Sequence, residues 1–138
     1  MAITQTQTTS FKVELPKAIH DLLTDTIKLA LYTSSASLDE DTTIYSATYE
    51  VTGTGYTAGG NTMTGVTINS SGSTAYIDFA DVVWTAAAFT AAGGLIYNSS
   101  KANRSIAVIS FGNDKTSTTT FTVTMPANTV TAALLRLS

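Results

Sequence analysis

Several residues in this chain have types and spacings that would support chemistry. Gly53-Thr-Gly55-Tyr-Thr-Ala58 has the spacing of a dinucleotide-binding glycine loop, with alanine in the third place. Asp39 and Asp41 stand two apart in Leu38-Asp-Glu-Asp-Thr-Thr43 and would project alike from an extended loop as oxygen ligands for calcium. His20, the only histidine, precedes Asp21. Trp84 and the tyrosines 45, 49, 56, 76 and 97 would offer aromatic faces to a sugar on a β scaffold.

Each pattern carries a structural requirement. A pyrophosphate needs a helix that starts at the glycine loop, so that free N–H groups and the helix dipole meet the anion. Tyr56-Thr-Ala-Gly-Gly-Asn-Thr-Met-Thr-Gly65 holds three further glycines and no helical face, and no cation lies near in sequence. The better account is a tight loop between strands, with glycines for positive φ or close backbone approach and Tyr56 covering the turn. His20 and Asp21 are adjacent and would not share a helix face, so they make no dyad. No nucleophile-elbow pattern surrounds any serine. Asp39 and Asp41 lack the length and spacing of an EF-hand, and a solvated acidic turn is the preferred reading of that string. Most of the aromatic rings are expected in a core or an interface. Asn69-Ser-Ser71, Asn98-Ser-Ser100 and Asn103-Arg-Ser105 match glycosylation acceptors. These residues imply no catalytic set, no cofactor and, beyond the Asp39 and Asp41 pair, no metal.

The elements that must hold these residues are mostly strands. The chain has 138 residues, enough for one domain with one sizeable core. Without cysteine it has neither disulfides nor thiolate metal sites. Charged residues are only 12% against 43% hydrophobic, and threonine is about a fifth of the chain, a composition that favours sheet. Between Lys28 and Lys101 there is no cation but six acids: Asp39, Glu40, Asp41, Glu50, Asp78 and Asp81. Such a surface would repel phosphates, so nucleic acid is not an expected partner. No apolar run reaches the length of a membrane span, and Met1 to Ser10 lacks the pattern of a signal peptide, so a soluble, unprocessed chain is expected.

Residues 1–10 are polar and threonine-rich and read as a flexible arm, with a single β domain over 11–138. Leu15, Ile19 and Leu22 have helical spacing and Pro16 suits a first turn, which predicts a short helix over Pro16 to Leu23. Asp25 to Ser34 alternates as a half-buried strand, with Ile27, Leu29 and Leu31 on one face. Ile44 to Val51 reads as a further strand, and Thr64 to Val82 as a hairpin turning at Ser70 to Ser73. Further strands are predicted over Leu95 to Tyr97, Arg104 to Gly112, Thr119 to Met125 and Val130 to Ser138, with Asn113 to Ser117 as a separator. Seven to nine such strands predict an all-β fold, mainly an antiparallel β-sandwich, jelly-roll-like or a closed barrel, with one short N-terminal helix.

The order of Asp25-Thr-Ile-Lys-Leu-Ala-Leu-Tyr-Thr-Ser34, Gly53-Thr-Gly-Tyr-Thr-Ala-Gly-Gly60, Asp81-Val-Val-Trp84, Leu95-Ile-Tyr-Asn98 and Phe111-Gly-Asn-Asp-Lys115 resembles a family of small tailed-bacteriophage and prophage structural proteins. The resemblance spans about residues 11–138. It departs from the family in the threonine-rich arm and at Ala86-Ala-Ala88. It implies a virion component without catalysis, assembled in the host cytoplasm, that joins copies of itself, a trimer by analogy, and capsid or tail proteins. A head decoration or cement protein is the leading expectation, and a tail, neck or fibre module the alternative. A carbohydrate- or receptor-binding module on Tyr45, Tyr56 or Trp84 is the alternative of another class. Thr8, Thr9, Tyr56, Trp84 and Phe89 are the candidate interface residues.

Overall fold

The computed structural model of the chain describes residues 3–137. They form an all-β fold with one short helix. The strands are β1 (Thr6–Gln7), β2 (Ile27–Tyr32), β3 (Asn61–Thr62), β4 (Thr67–Ser71), β5 (Thr74–Asp78), β6 (Val82–Thr85), β7 (Thr90–Asn98), β8 (Arg104–Thr116), β9 (Thr120–Val123) and β10 (Leu135–Leu137). The helix α1 spans Thr9–Glu14 and tightens into a 3-10 turn over Leu15–Lys17. All pairs between these strands are antiparallel, in three open sheets ordered β1-β8-β7-β2-β3, β10-β5-β4 and β6-β9. Among the described residues no helix is long and apolar enough to cross a membrane.

Two of the sheets are parts of one bent ribbon. β7 and β8 pair from Asn98 opposite Arg104 to Thr90 opposite Thr116, and β6 and β9 pair from Thr85 opposite Thr120 to Val82 opposite Val123. Between them the ladder continues around a corner. Ser117 N–H donates to Phe89 O at 3.0 Å and Ala87 N–H to Thr119 O at 2.8 Å, while Ala86 takes a φ of 49°. A second irregularity sets Ala92 alone against Phe111 to Asp114, because Ala91 faces Lys115 and Gly93 faces Ser110. Bulges of this kind bend a ribbon and raise its twist. The predicted separator at Asn113 to Ser117 therefore lies largely within β8, as its bulge and its continuation to Thr116.

The core sits on both faces of the five-stranded sheet. Leu29, Leu31, Ile96, Ile106 and Ile109 point toward Ile77, Trp84, Phe121 and Leu135 of the other sheets and Phe89 of the corner, which makes the molecule sandwich-like. Ala30, Tyr32, Leu95, Tyr97 and Val108 pack on the opposite face against Ala36 and Leu38. β2 is thus buried on both sides, where its alternation predicted a half-buried strand. The second face is covered by irregular chain, which carries no periodicity for a sequence reading to detect.

Other expectations are corrected. The helix lies over Thr9–Glu14 and not Pro16 to Leu23, because Thr8 caps it. The Thr8 hydroxyl accepts the Phe11 N–H, Pro16 has no N–H to continue the ladder, and Ala18 at a φ of 58° ends the 3-10 turn that follows. The predicted flexible arm is ordered from Ile3 onward: Thr4 N–H donates to Leu38 O at 2.8 Å, β1 joins the edge of β8, and Thr8 is fully buried with its hydroxyl on Ile106 O. Met1 and Ala2 fall outside the described residues. Ile44 to Val51 forms no strand, only isolated bridges at Ile44 and Glu50. The predicted strand over Val130 to Ser138 is reduced to Leu135–Leu137 within the described residues.

Candidate functional site

The glycine stretch folds around a carboxylate. Glu50 is buried and accepts from Tyr45 Oη at 2.6 Å, from Gly59 N at 2.8 Å and from Tyr56 Oη. Tyr56 Oη in turn accepts the Leu31 N–H at 2.9 Å, and Tyr97 Oη donates to Gly59 O at 2.7 Å. Tyr45 stacks on Tyr97 with ring centroids 4.7 Å apart. Burial, reinforced by the Glu50 charge, pushes the Tyr97 phenol up to about 12 and raises those of Tyr45 and Tyr56 as well. The phenols stay protonated and donating, as the carboxylate requires. The glycines give the close approach expected of them: a Cβ on Gly60 would lie 1.8 Å from Leu29 O, and one on Gly55 2.6 Å from Ala86 O. No helix follows the loop, so it has no helix N-terminus of the kind a pyrophosphate loop uses.

A second polar cluster fixes the chain after α1 to the β7–β8 turn. Asn98 Nδ2 donates to Asp25 Oδ2 at 2.8 Å and to His20 Nδ1 at 3.1 Å, while Asn98 Oδ1 accepts from Ser100 N. With the amide oriented by those partners, His20 Nδ1 is the acceptor and Nε2–H donates to Glu14 Oε1 at 2.8 Å. Arg104 reaches Glu14 Oε2 at 2.7 Å and Lys101 reaches Asp25 at 3.1 Å. Burial raises the Glu14 carboxyl, but the bonds from His20 and Arg104 and the Arg104 charge outweigh it and hold it below its usual range. For Asp25 burial is likewise outweighed, by Asn98, the Asp21 N–H and Lys101. His20 is enclosed, and both of its nitrogens are spent on structural bonds.

The remaining candidates scatter. Asp39 Oδ1 accepts the Asp41 N–H at 2.9 Å and Asp39 N–H donates to Thr42 Oγ1, so the acidic string is a turn closed by its own backbone. Among the described residues no group of three or more His, Asp or Glu side chains is placed to hold a metal. Trp84 and Phe89, expected at an interface, are 2% and 5% exposed and pack with Phe121 in an aromatic core. Tyr56 lies edge-on to Phe89 with its hydroxyl committed to Glu50. They are anchors of the ribbon corner and not surface rings, because the corner needs large side chains to fill its bend. Thr8 is buried, and only Thr9 of that pair is exposed. Asn98 is buried too, which excludes it as a glycan acceptor in the folded chain.

What the surface does offer is a strand edge beside a groove. A cavity of about 490 Å³ runs between the end of β8 and the outer edge of β9, lined by Phe111, Phe121, Val123, Pro126 and Leu134, with Lys115 its one charged lining residue. β1 covers the β8 edge only at Ala107 and Val108, and Gln5 Oε1 caps Ser110 N–H. Beyond that point β9 pairs with β6 on one side and, among the described residues, with no strand on the other. The sequence reading placed a strand here but had no signal for which edge would stay open, since that depends on where β1 leaves β8. Glu50 was also missed as an organiser; an acid between β-forming residues and near several tyrosines was the available sign. Compared with family models, curated proteins and solved structures, the chain matches none of them.

Proposed function

We propose that this chain is a non-enzymatic structural protein of a tailed-bacteriophage particle, of the head decoration or cement kind. It associates with copies of itself and with capsid subunits, and its place is the virion. The observation that carries this reading is the uncharged, unpaired edge of β9 with the apolar groove beside it, a surface suited to association. The resemblance in Gly53 to Gly60, Asp81 to Trp84 and Phe111 to Lys115 supplies the particle. The titratable clusters at Glu50 and at His20 support a role without catalysis, since their polar atoms are consumed by bonds within the chain.

A tail, neck or fibre module would use the same edge. A carbohydrate-binding module is not carried forward, because Trp84 is buried and Tyr45 and Tyr56 spend their hydroxyls on Glu50. Cryo-electron microscopy of the particle bearing this chain is the test. Regular density for it on the head is expected. Density at the neck or tail would shift the reading to the alternative, and absence from purified particles would overturn it.

A further inference from the structure

We infer that β9 joins two copies of this chain, edge to edge, about a two-fold axis at Thr122. This deepens the self-association in the proposed function and rests on it. The backbone orientation of β9 is set by three contacts. Thr119 O accepts from Ala87 N–H, and Met125 N–H donates to Asp81 Oδ1 at 2.7 Å, so the odd-numbered residues face β6. Val83, opposite Thr122, turns its carbonyl the other way, to Asn61 Nδ2 at 3.0 Å. Main-chain groups of Thr120, Thr122 and Thr124 therefore point away from β6, and none of them has a hydrogen-bond partner among the described residues. Their side chains are exposed.

Sheets protect such edges with charges, prolines, bulges or a covering element. From Ser117 to Met125 this segment has no charged residue and no proline, and Pro126 is the first to interrupt it. An antiparallel edge is complementary to itself. With Thr122 opposite Thr122 of the second copy, Thr120 meets Thr124 and Thr124 meets Thr120. Each pair exchanges two main-chain bonds, which satisfies the outward groups of Thr120, Thr122 and Thr124 in both copies at once. The threonine side chains then form a ladder on the outer face, a favourable cross-strand pairing. On the inner face Phe121 and Val123 are already buried in each copy, and the second strand covers the groove beside them, where Phe111 and Leu134 are only partly buried. No like charges of β6 or β9 are brought together, because neither strand has any. A strand from another protein would satisfy the same bonds, whereas a second copy presents the identical edge, so one two-fold contact satisfies both edges and closes.

The test is the mass of the full chain by analytical ultracentrifugation over a range of concentrations, with folding checked by circular dichroism. The wild type is expected to be a dimer. Thr122→Lys and Thr122→Glu each place like charges at the axis and are expected to weaken dimerisation about tenfold or more. Mixing the two variants is expected to restore a dimer, which a merely structural defect would not do. Val83→Lys, on the neighbouring strand of the same face, is expected to leave the dimer intact. A wild type that stays monomeric, a trimer, or a dimer unmoved by both Thr122 variants would overturn the contact. A chain that fails this test yet is found in the particle loses the β9 contact and keeps the virion reading; a dimer absent from the particle does the reverse.

Discussion

Two buried carboxylates, Glu50 and Asp78, show how satisfaction and not burial alone decides what an acid does to this fold. Glu50 accepts from two phenols and a backbone N–H, and it organises the loop that follows it. Asp78, at the end of β5, has one oxygen without a partner, and burial raises its carboxyl, with the Asp81 charge adding to the effect against the Phe79 N–H. Because the folded value lies above the unfolded one, the cost is present at neutral pH and fades as pH falls below the ordinary carboxylate range. Asp78→Asn is expected to stabilise the protein at pH 7 by about 1 kcal/mol, with little gain at pH 3. Thermal melts at the two pH values check this; an equal shift at both would show that charge is not the cause. The partners of Glu50 lie within nine residues of it, so the nearby tyrosines were the sign the sequence offered, whereas the burial of Asp78 is set by packing that no neighbouring residue records.

The loop from Val51 to Gly60 works by proximity. It lays its backbone against β2 and against the corner of the ribbon, with a bridge from Thr54 to Ala88. Gly60 combines a φ of 79° with a carbonyl where its Cβ would be, while Gly72, at a φ of 60°, faces open space in the β4–β5 turn. Gly60→Ala is expected to cost about 3 kcal/mol or more and Gly72→Ala about 1 kcal/mol, read as urea unfolding midpoints. Similar costs at both sites would mean that backbone conformation alone, and not close approach, holds the loop. The need for glycine was legible in the run itself; the neighbour it had to admit was not. The same holds for α1, whose position depends on the Thr8 cap, while the spacing of Leu15, Ile19 and Leu22 pointed further along the chain.

The whole molecule is closed by polar contacts between distant segments, and these give it a pH dependence. Glu14 and Asp25 tie the chain after α1 to Asn98, Lys101 and Arg104 at the far end of the ribbon. Both carboxyls are lowered in the folded state, so their contribution is complete above their ordinary values of 4.5 and 3.8 and is lost as pH falls through the lowered ones. The cations are partly exposed, with side chains 42% and 38% accessible at Arg104 and Lys101, which moderates the pairs by solvent screening. Stability is expected to fall below about pH 4.5, and Glu14→Gln with Asp25→Asn to flatten that fall at a cost of about 1–2 kcal/mol at pH 7. Chemical denaturation from pH 7 to pH 2.5 checks this, and an unchanged slope in the double variant would locate the acid sensitivity elsewhere.

The all-β class, the hairpin of β4 and β5, and the strands β2, β7, β8 and β9 follow from threonine-rich alternation and from turn residues, because these express local backbone preference and the facing of side chains. So does the absence of a helix after the glycine run, whose residues present no helical face. Tertiary packing alone set the rest. It turned β2 into a strand buried on two faces, drew Trp84 and Phe89 inside a corner, placed the N-terminal arm on β8 and left the edge of β9 open. Each of these depends on which distant segment arrives beside a strand, and a single strand's alternation carries no record of its neighbour.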